Sequence, residues 1–409
     1  MMPSPRVRFN KNYRKLIKNE YMILGNIFNG LWIKCPTYVY EFLNNWIEKE
    51  YTVSNMLDEC MDVDTKEYLS NMIKTLVGIE IIDYYDKHTP DNKAIKHVTF
   101  ELTTGCNLRC SHCCVSCGEI AREDMSFELL KQLIKWCEKN EIRSIALTGG
   151  EIFIRHDIWD ILNYVRANFT GSIEIMTNGT LLREKMIPDL KALVDYISIS
   201  LDGYDEESVL KIRGPKVFNK VKSTIKSLQQ SGLENISLSM VLTKDMITHQ
   251  NKFRELCLSL GVTPIMRVFT PEGRADSNYE TLSPPFKIKN KNELTEVELT
   301  SLQNAINFKC SCNLSSKIFV CCDGSIYPCF LTKNEKNRLG STNDLLDGKL
   351  KEAEIVPIVD TIDECRDCDV RYFCATACPG HDRNIFMNEK YRSEMCDQMK
   401  PYYNMIVWK

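Results

Sequence analysis

Between about residues 97 and 269, short apolar runs alternate with stretches whose apolar residues recur at helical spacing. One such helix follows Ser126, a candidate N-cap, and another covers residues 217–228. Strict alternation of strand and helix predicts a parallel sheet with right-handed crossovers. The six predicted strands are 97–103, 142–148, 173–177, 196–201, 236–242 and 263–269.

The first 90 residues follow a different pattern. Asn29-Gly30 separates two apolar runs within residues 21–35, which predicts a β-hairpin with a type I′ turn. Helical spacing runs from Tyr38 to Glu48 and again after Asp64, a candidate N-cap, and residues 79–84 are predicted to be a strand. A hairpin, helices and a closing strand together describe a small winged-helix-like domain, residues 1–90.

Composition narrows the class of protein. The chain has a formal charge of −3 and 26% charged residues, which predicts no general attraction to nucleic acid or membranes. Residues 1–19 are basic rather than apolar, and no run reaches the length of a membrane span. Nineteen cysteines without a secretion signal favour a reduced, metal-loaded cytoplasmic protein, handled best without air.

Three of these cysteines, Cys106, Cys110 and Cys113, lie at C-x3-C-x2-C spacing directly after the first predicted strand. Thiolates suit both iron–sulfur clusters and zinc. Three ligands leave one iron of a [4Fe–4S] cluster open, whereas three cysteines are also most of a zinc site. Cys114 and Cys117 follow closely, as further ligands or as bystanders.

This loop follows the first predicted strand, and Gly149-Gly150-Glu151 follows the second. Together the two motifs resemble those of the radical S-adenosylmethionine (radical SAM) enzymes. The resemblance implies a partial (β/α)6 barrel over residues 91–282, with S-adenosylmethionine on the open iron and cleaved to a 5′-deoxyadenosyl radical. It implies that the Gly-Gly-Glu motif binds the methionyl amine, Ser200 the ribose or methionyl part and Arg213 the carboxylate. Ordinary strand ends and a surface arginine are the alternatives. Arg267 and Gly273-Arg274 lie at or after the sixth predicted strand, on the same rim of loops at the carboxyl ends of the strands, and we assign them no role.

Residues 283–409 carry a second group of cysteines, too many for one tetrahedral zinc site, so two zinc sites or two iron–sulfur clusters remain. Their spacing resembles the SPASM extension of radical SAM enzymes, which holds two auxiliary [4Fe–4S] clusters. By that resemblance the outer cluster is held by Cys365, Cys368, Cys374 and Cys396, and the inner one by Cys312, Cys329, Cys378 and a fourth ligand.

The fourth ligand of the inner cluster is where this chain departs from the sulfatase-maturing members of the family. Their cysteine lies six positions before the counterpart of Cys312, whereas the nearest candidate here, Cys310, lies two before it. Cys321, Cys322 or an open site are the alternatives. Those members also have a proton-accepting aspartate where this chain has Phe330, which counts against that subfamily.

The resemblance therefore favours a maturase that modifies, and by preference crosslinks, a ribosomally made precursor peptide. Residues 1–90 would bind the leader of that peptide by adding a strand to a sheet edge. A structural cap and a DNA-binding domain are the alternatives for this region. The expected electron donor is flavodoxin or ferredoxin. Two other functions stay open: a sulfatase-maturing type of enzyme acting on a folded protein, and a metal-stabilised winged-helix regulator that binds DNA.

Overall fold

The computed structural model divides by packing into two compact units. The central unit comprises Lys93–Pro285 and Leu314–Glu354, and the terminal unit comprises Met1–Asn92, Phe286–Asn313 and Ile355–Lys409. The sequence predicts three consecutive domains, whereas each packing unit is built from separate segments of the chain. The structure describes residues 5–85, 95–118, 121–284, 295–308, 316–353, 356–374, 386 and 389–408.

The central unit is organised around a nine-stranded sheet in the order β11-β10-β9-β8-β7-β6-β12-β13-β14. Strands β6 to β11 follow one another in chain order and pair in parallel, as expected for a partial barrel. All six predicted strands are confirmed within two residues. The strands are β6 (His97–Glu101), β7 (Ser144–Thr148), β8 (Ser172–Thr177), β9 (Tyr196–Ser200), β10 (Ile236–Leu242), β11 (Thr263–Val268), β12 (Lys317–Val320), β13 (Ser325–Tyr327) and β14 (Gly340–Ser341).

Helices connect these parallel strands and cover one face of the sheet. Ser126 occupies the N-cap of the first of them, although its side chain makes no capping hydrogen bond. The helices are α4 (Phe127–Lys139), α5 (Ile158–Asn168), α6 (Ile187–Leu193), α7 (Glu206–Arg213), α8 (Val217–Gln230), α9 (Gln250–Ser259), α10 (Arg274–Ser277), α11 (Tyr279–Leu282) and α13 (Thr342–Leu346).

The two faces of this sheet differ in polarity. Phe100, Leu147 and Ile199 point to the helix side and are fully buried in the main apolar core. Because successive side chains of a strand point to opposite faces, Glu101, Thr148 and Ser200 point to the other side. That side is polar. These three residues are also at the carboxyl ends of their strands, where parallel α/β sheets carry their active sites.

The terminal unit contains two small antiparallel sheets. One pairs β1 (Val7–Phe9) with β5 (Ile82–Tyr84), and the other has the order β2 (Tyr13–Lys18), β3 (Tyr21–Asn26), β4 (Trp32–Pro36). The remaining helices belong to this unit. They are α1 (Thr37–Glu48), α2 (Val53–Asp58), α3 (Val63–Gly78), α12 (Glu296–Ala305), α14 (Asp363–Arg366), α15 (Arg371–Cys374) and α16 (Glu389–Trp408).

The three-stranded sheet is covered on both faces. Met22 and Leu24 pack with helices α1 and α3 in one core. Leu16 and Ile23 pack in a second core with residues from the carboxyl-terminal segments, including Val407. The N-terminal region is therefore not a free-standing domain in this structure, because its sheet shares a core with chain segments beyond residue 295.

Two local predictions in this unit need correction. The hairpin exists, but its loop covers residues 27–31 instead of two, and Gly30 has a positive φ of 77° while Asn29 does not. The Asn26 side chain reshapes the loop by accepting a hydrogen bond from Phe28 N at 2.8 Å. Helix α3 is capped by Asp62, whose carboxylate accepts from Thr65 N at 2.7 Å, and not by Asp64.

Candidate active site

The cysteine loop begins where β6 ends and holds Cys106, Cys110 and Cys113 above the polar side of the sheet. Its backbone is fixed by neighbours from other strand ends. Ser111 N donates to Ile212 O at 2.9 Å, which joins the loop to helix α7. The sulfur of Cys106 accepts from Leu108 N at 3.4 Å. The three predicted ligands therefore share one ordered loop at the predicted rim.

The electrostatic surroundings of the three thiols differ. Burial raises the pKa of Cys106 and Cys110, and the Arg213 guanidinium opposes this effect at both. A hydrogen bond from the Cys117 thiol lowers the pKa of Cys113 to about 5. Cys117 is thus a hydrogen-bond partner of a predicted ligand. A positive charge beside paired thiols stabilises the deprotonated form that binds iron.

Zinc and an iron–sulfur cluster differ in how closely they gather their ligands. Tetrahedral zinc at about 2.3 Å from each sulfur gathers its thiolates around a single point. Among the residues that the structure describes, no three His, Cys, Asp or Glu side chains are placed to hold a metal ion of any kind. The loop does fit the larger cluster chemically, since it offers three thiols, a nearby cation and an open polar side.

The glycines of the Gly-Gly-Glu motif are required by the cysteine loop itself. A Cβ on Gly149 would lie 2.3 Å from Thr103 O, and one on Gly150 would lie 2.2 Å from Gly105 O. The backbone N–H of Gly150 donates to Thr103 O at 2.8 Å. The loops after β6 and β7 are therefore joined backbone to backbone, with no space for side chains between them.

Glu151 is fully buried, and its carboxylate binds groups of the protein. It accepts from Thr177 Oγ1 at 2.8 Å, Asn178 N at 2.6 Å and Phe153 N at 3.1 Å. Burial raises its pKa. These hydrogen bonds connect the end of β7 to the end of β8, and a contact with S-adenosylmethionine stays a prediction.

A buried charge network links the cysteine loop to β9 and α7. Asp202, 1% exposed with φ of 59°, pairs with Arg213, whose Nε lies 2.6 Å from Asp202 Oδ2. The same oxygen lies 2.9 Å from His112 Nε2. Val241 N donates to the other carboxylate oxygen at 2.6 Å. Arg213 is therefore a buried member of an ion pair and not a surface arginine, and Ser200 lies nearby, 3.4 Å from Ser239 Oγ.

His112 and Asp202 are site residues that sequence reasoning missed. His112 lies inside the cysteine motif, between two stronger signals, and its Nδ1 atom is buried without a partner among the described residues. Asp202 directly follows the strand that carries Ser200. The only available sequence signal was a charged residue at the carboxyl end of a buried parallel strand, where it meets the other strand ends.

The structure brings some of the later cysteines together. In the terminal unit, burial raises the pKa of Cys365 to about 11, and the neighbouring Cys396 and Cys368 add to that effect. Cys374 is buried in the same core. These four cysteines are the predicted outer set. Cys310, Cys312 and Cys378 lie outside the described residues.

Cys329, Cys321 and Cys322 belong to the central unit, in the hairpin of β12 and β13. The Cys322 thiol donates to Glu101 O at 3.1 Å, at the end of β6. The Glu101 carboxylate pairs with Lys333, at 3.2 Å from Nζ to each oxygen. Burial raises the pKa of Cys321 to about 11 and of Cys322 to about 12, so both are thiols in this arrangement.

Comparison with known proteins supports the chemistry of this rim. The model of the radical SAM superfamily matches residues 100–251. The matched segment contains the cysteine loop, the Gly-Gly-Glu motif, Ser200 and Arg213, and the match confirms the resemblance noted from the sequence.

Two curated relatives each match less than half of this chain. The chain is 29% identical over 189 residues to the mycofactocin maturase MftC of Mycolicibacterium smegmatis, covering 46% of this chain and 48% of that protein. It is 36% identical over 182 residues to the subtilosin biosynthesis protein AlbA of Bacillus subtilis, covering 42% and 40%. The chain thus spans about half, or less, of the length of these relatives.

Among solved structures, SuiB of Streptococcus suis bound to S-adenosylmethionine has a similar fold. The TM-score is 0.51 at 16% identity, and the match covers 93% of this chain and 97% of SuiB. At this identity the likeness concerns the fold alone. No helix in the described part of the chain has the length and apolar character needed to cross a bilayer.

Proposed function

We propose that this protein is a radical SAM enzyme that modifies a ribosomally made precursor peptide. The observation that carries the proposal is the three-thiol loop at the end of β6, held against Gly149-Gly150 and joined through His112 to the buried Asp202–Arg213 pair. A peptide substrate is supported by the names of two relatives, a mycofactocin maturase and a bacteriocin biosynthesis protein.

Within this proposal Cys106, Cys110 and Cys113 hold a [4Fe–4S] cluster. When bound, the cluster and S-adenosylmethionine supply a 5′-deoxyadenosyl radical that abstracts hydrogen from the peptide. Arg213 offers positive charge to the cofactor carboxylate, while Asp202 keeps that guanidinium at the rim. Ser200, half-buried on the polar side of the sheet, is assigned to the ribose or methionyl part. The chain thus contributes binding and orientation, and the cofactors supply the reactivity.

Two auxiliary clusters complete the proposal, one on Cys365, Cys368, Cys374 and Cys396. The other would use Cys312, Cys329, Cys378 and Cys310. Their role is to accept an electron from the modified peptide, or to bind a substrate thiolate, so that a thioether or carbon–carbon crosslink forms. Flavodoxin or ferredoxin is the proposed donor. Cys321, Cys322 and an open site are the alternatives to Cys310 as the fourth ligand of that cluster.

The terminal unit is proposed to bind the leader of the precursor. Among the described residues, the outer edges of β2 and β4 pair with no further strand. An unpaired edge offers backbone N–H and C=O groups to an extended peptide. SuiB, which shares the fold, has been solved with its precursor peptide SuiA.

Anaerobic reconstitution tests the proposal. The unaltered protein should bind iron, show the absorption of iron–sulfur clusters and cleave S-adenosylmethionine under a strong reductant. Replacing Cys106, Cys110 and Cys113 by alanine should abolish cleavage and keep roughly two thirds of the iron. Cys60, a thiol outside all proposed sites, provides the control: Cys60→Ala should retain all iron and full cleavage.

The outcomes separate the alternatives. Unchanged 5′-deoxyadenosine production in the triple variant would sink the assignment of the loop. Stoichiometric zinc with no iron after reconstitution would indicate a structural metal site. Incubation with small peptides encoded beside the gene, followed by mass spectrometry for the loss of two hydrogens, tests the crosslink.

A further inference from the structure

The turn between β11 and α10 contacts the cysteine loop, although β11 and β6 are the last and the first of the six parallel strands. Arg274 lies 164 positions beyond Cys110, yet its Nε donates to Cys110 O at 3.0 Å. Another guanidinium nitrogen donates to Cys117 O at 2.9 Å. One side chain therefore holds two carbonyls seven residues apart along the cysteine loop.

The same turn contributes two further hydrogen bonds. Arg274 N donates to Cys113 O at 2.9 Å, and Asn278 Nδ2 donates to Ser111 O at 3.1 Å. Four donors from one short segment thus reach four carbonyls within residues 110–117. Carbonyls held in this way fix the backbone from which the thiols of Cys110 and Cys113 project.

Gly273 makes this approach sterically possible. Its φ is 56°, a conformation that side chains disfavour. A Cβ there would lie 2.8 Å from Cys114 O and 2.9 Å from Cys113 O. The turn therefore lies directly against the cysteine loop, and a larger residue would push the two apart.

The strand order gives this contact its importance. Strand β11 is an edge of the sheet and five strands away from β6, so no strand pairing connects them. The contact between the first and the sixth strand end is made by Arg274, Asn278 and Gly273. Without it, the loop would rely on its contacts with the segments that follow β7, β8 and β9.

We infer that Arg274 is a positioning residue, which holds the cysteine loop in the conformation that binds the cluster and places a positive charge beside it. The inference rests on the proposed function, because it assigns the loop to a [4Fe–4S] cluster. Groups that orient metal ligands commonly change metal affinity or activity by about 10–100-fold when removed.

The first test uses metal-free protein and needs no activity. In Arg274→Gln, alkylation of Cys110 by iodoacetamide, followed by peptide mapping, should proceed about tenfold faster than in the unaltered protein, because the loop opens more often. Arg274→Lys keeps the charge but presents no planar fork, so an intermediate rate is expected. Arg254, an exposed arginine of helix α9, supplies the control Arg254→Gln, with an unchanged rate.

The second test uses reconstituted protein. Arg274→Gln should shift the midpoint potential of the radical cluster and lower its affinity for iron about 10-fold or more, while the auxiliary clusters keep theirs. Asn278→Ala removes only the contact with Ser111 and should give a smaller change in the same direction. An unaltered alkylation rate together with an unaltered midpoint potential in Arg274→Gln overturns the inference.

The two proposals can fail separately. If the unaltered protein takes up iron but does not cleave S-adenosylmethionine, the proposed function fails, and the alkylation rates still decide whether Arg274 orders the loop. If the unaltered protein is active and Arg274→Gln matches it in rate and potential, the positioning role fails alone.

Discussion

His112 Nε2 lies 2.9 Å from Asp202 Oδ2, and this contact joins the cysteine loop to the end of β9. The same carboxylate binds Arg213. Burial by itself raises the pKa of Asp202, but the charges of Arg213 and His112 outweigh it and hold the pKa well below the usual range. Asp202 therefore stays ionised in the folded protein, as a buried anion between two donors.

We expect Asp202→Asn to lower the free energy of unfolding at pH 7 by about 3–5 kcal/mol, because Arg213 loses its buried partner. A carboxylate with a depressed folded pKa contributes stability in full above its unfolded pKa of about 3.9 and loses it as the pH falls further. The difference between the two proteins should therefore shrink below about pH 4. Urea unfolding of both metal-free proteins at several pH values measures this difference in the free energy of unfolding.

The control for this prediction is Asp189→Asn, at an exposed carboxylate in the first turn of helix α6. It should change stability by no more than about 0.5 kcal/mol at any of these pH values. A stability difference for Asp202→Asn that stays constant down to pH 2 would contradict the assignment of the charge to Asp202.

Glu151→Gln tests two roles of one carboxylate. Loss of its charge weakens the hydrogen bonds from Thr177 and Asn178, so stability should fall by about 1.5–3 kcal/mol. If the carboxylate also holds the cofactor ammonium, affinity for S-adenosylmethionine should fall by a similar amount. Thr177→Val is the matched variant, since it removes the hydroxyl that donates to Glu151 and accepts from Gly179 N, and it keeps the charge of Glu151.

The two readouts for Glu151 are urea unfolding and equilibrium binding of S-adenosylmethionine to reconstituted protein. Thr177→Val should lose stability and keep its affinity. Equal affinity in Glu151→Gln and the unaltered protein would mean that the carboxylate serves only to join β7 and β8.

Gly150→Ala should disrupt the contact between the loops after β6 and β7. The added methyl group meets Gly105 O at 2.2 Å, a distance that backbone atoms cannot absorb without moving apart. We expect a loss of about 2–4 kcal/mol in unfolding free energy, in line with overpacking of a well-packed site. Calorimetric or urea unfolding of the metal-free protein provides the measurement.

Gly214→Ala separates overpacking from backbone strain. Gly214 has a φ of 98°, and a Cβ there meets nothing within 4 Å. Its substitution should cost only about 1–2 kcal/mol, the strain of that conformation. Similar losses at Gly150 and Gly214 would show that the contact between the loops contributes little.

Proline substitutions at the two sheet edges test leader binding. Asn26 N donates to Leu31 O, and hydrogen-bonded pairs alternate along an antiparallel ladder, so Lys34 directs its N–H outward from β4. The same alternation, starting from Ile27 N and Asn12 O, directs the N–H of Ile17 outward from β2. Proline is tolerated where an edge N–H faces solvent.

If the leader adds a strand to one edge, Lys34→Pro or Ile17→Pro should weaken its binding by at least tenfold, and the other should not. Fluorescence anisotropy with a labelled leader measures affinity, and cleavage of S-adenosylmethionine without peptide should stay unchanged in both. Full affinity in both variants would remove strand addition from the proposal. The full chain is needed, because a cut near residue 90 would expose the core that Leu16 shares with Val407.

The sequence was sufficient for the barrel strands because most of them carry buried apolar residues on the helix side and lie between helices of clear apolar periodicity. The cap of helix α3 was misplaced because Asp62 and Asp64 are both suitable residues, and only the geometry selects the hydrogen bond from Thr65. The hairpin was found, but its turn was not, since Asn26 competes for the loop N–H groups through its side chain.

Long-range relationships were beyond sequence reasoning. The approach of Arg274 to the cysteine loop has no local signal, because it depends on where the sixth strand ends relative to the first. The shared core of Leu16 and Val407 depends on segments nearly the whole chain apart. His112 lies within the cysteine motif, but its contact with Asp202 depends on how the ends of β6 and β9 are arranged in the fold.

The divided terminal unit has a consequence for how the protein is made. Trp32 Nε1 donates to Ile306 O at 2.9 Å, across 274 positions, and Lys18 pairs with Asp369 at 2.8 Å. On the ribosome, the face of the amino-terminal sheet that carries Leu16 and Ile23 can therefore be covered only after residues 356–408 have been synthesised. During that interval the apolar face is uncovered, and we expect it to be a surface that chaperones bind.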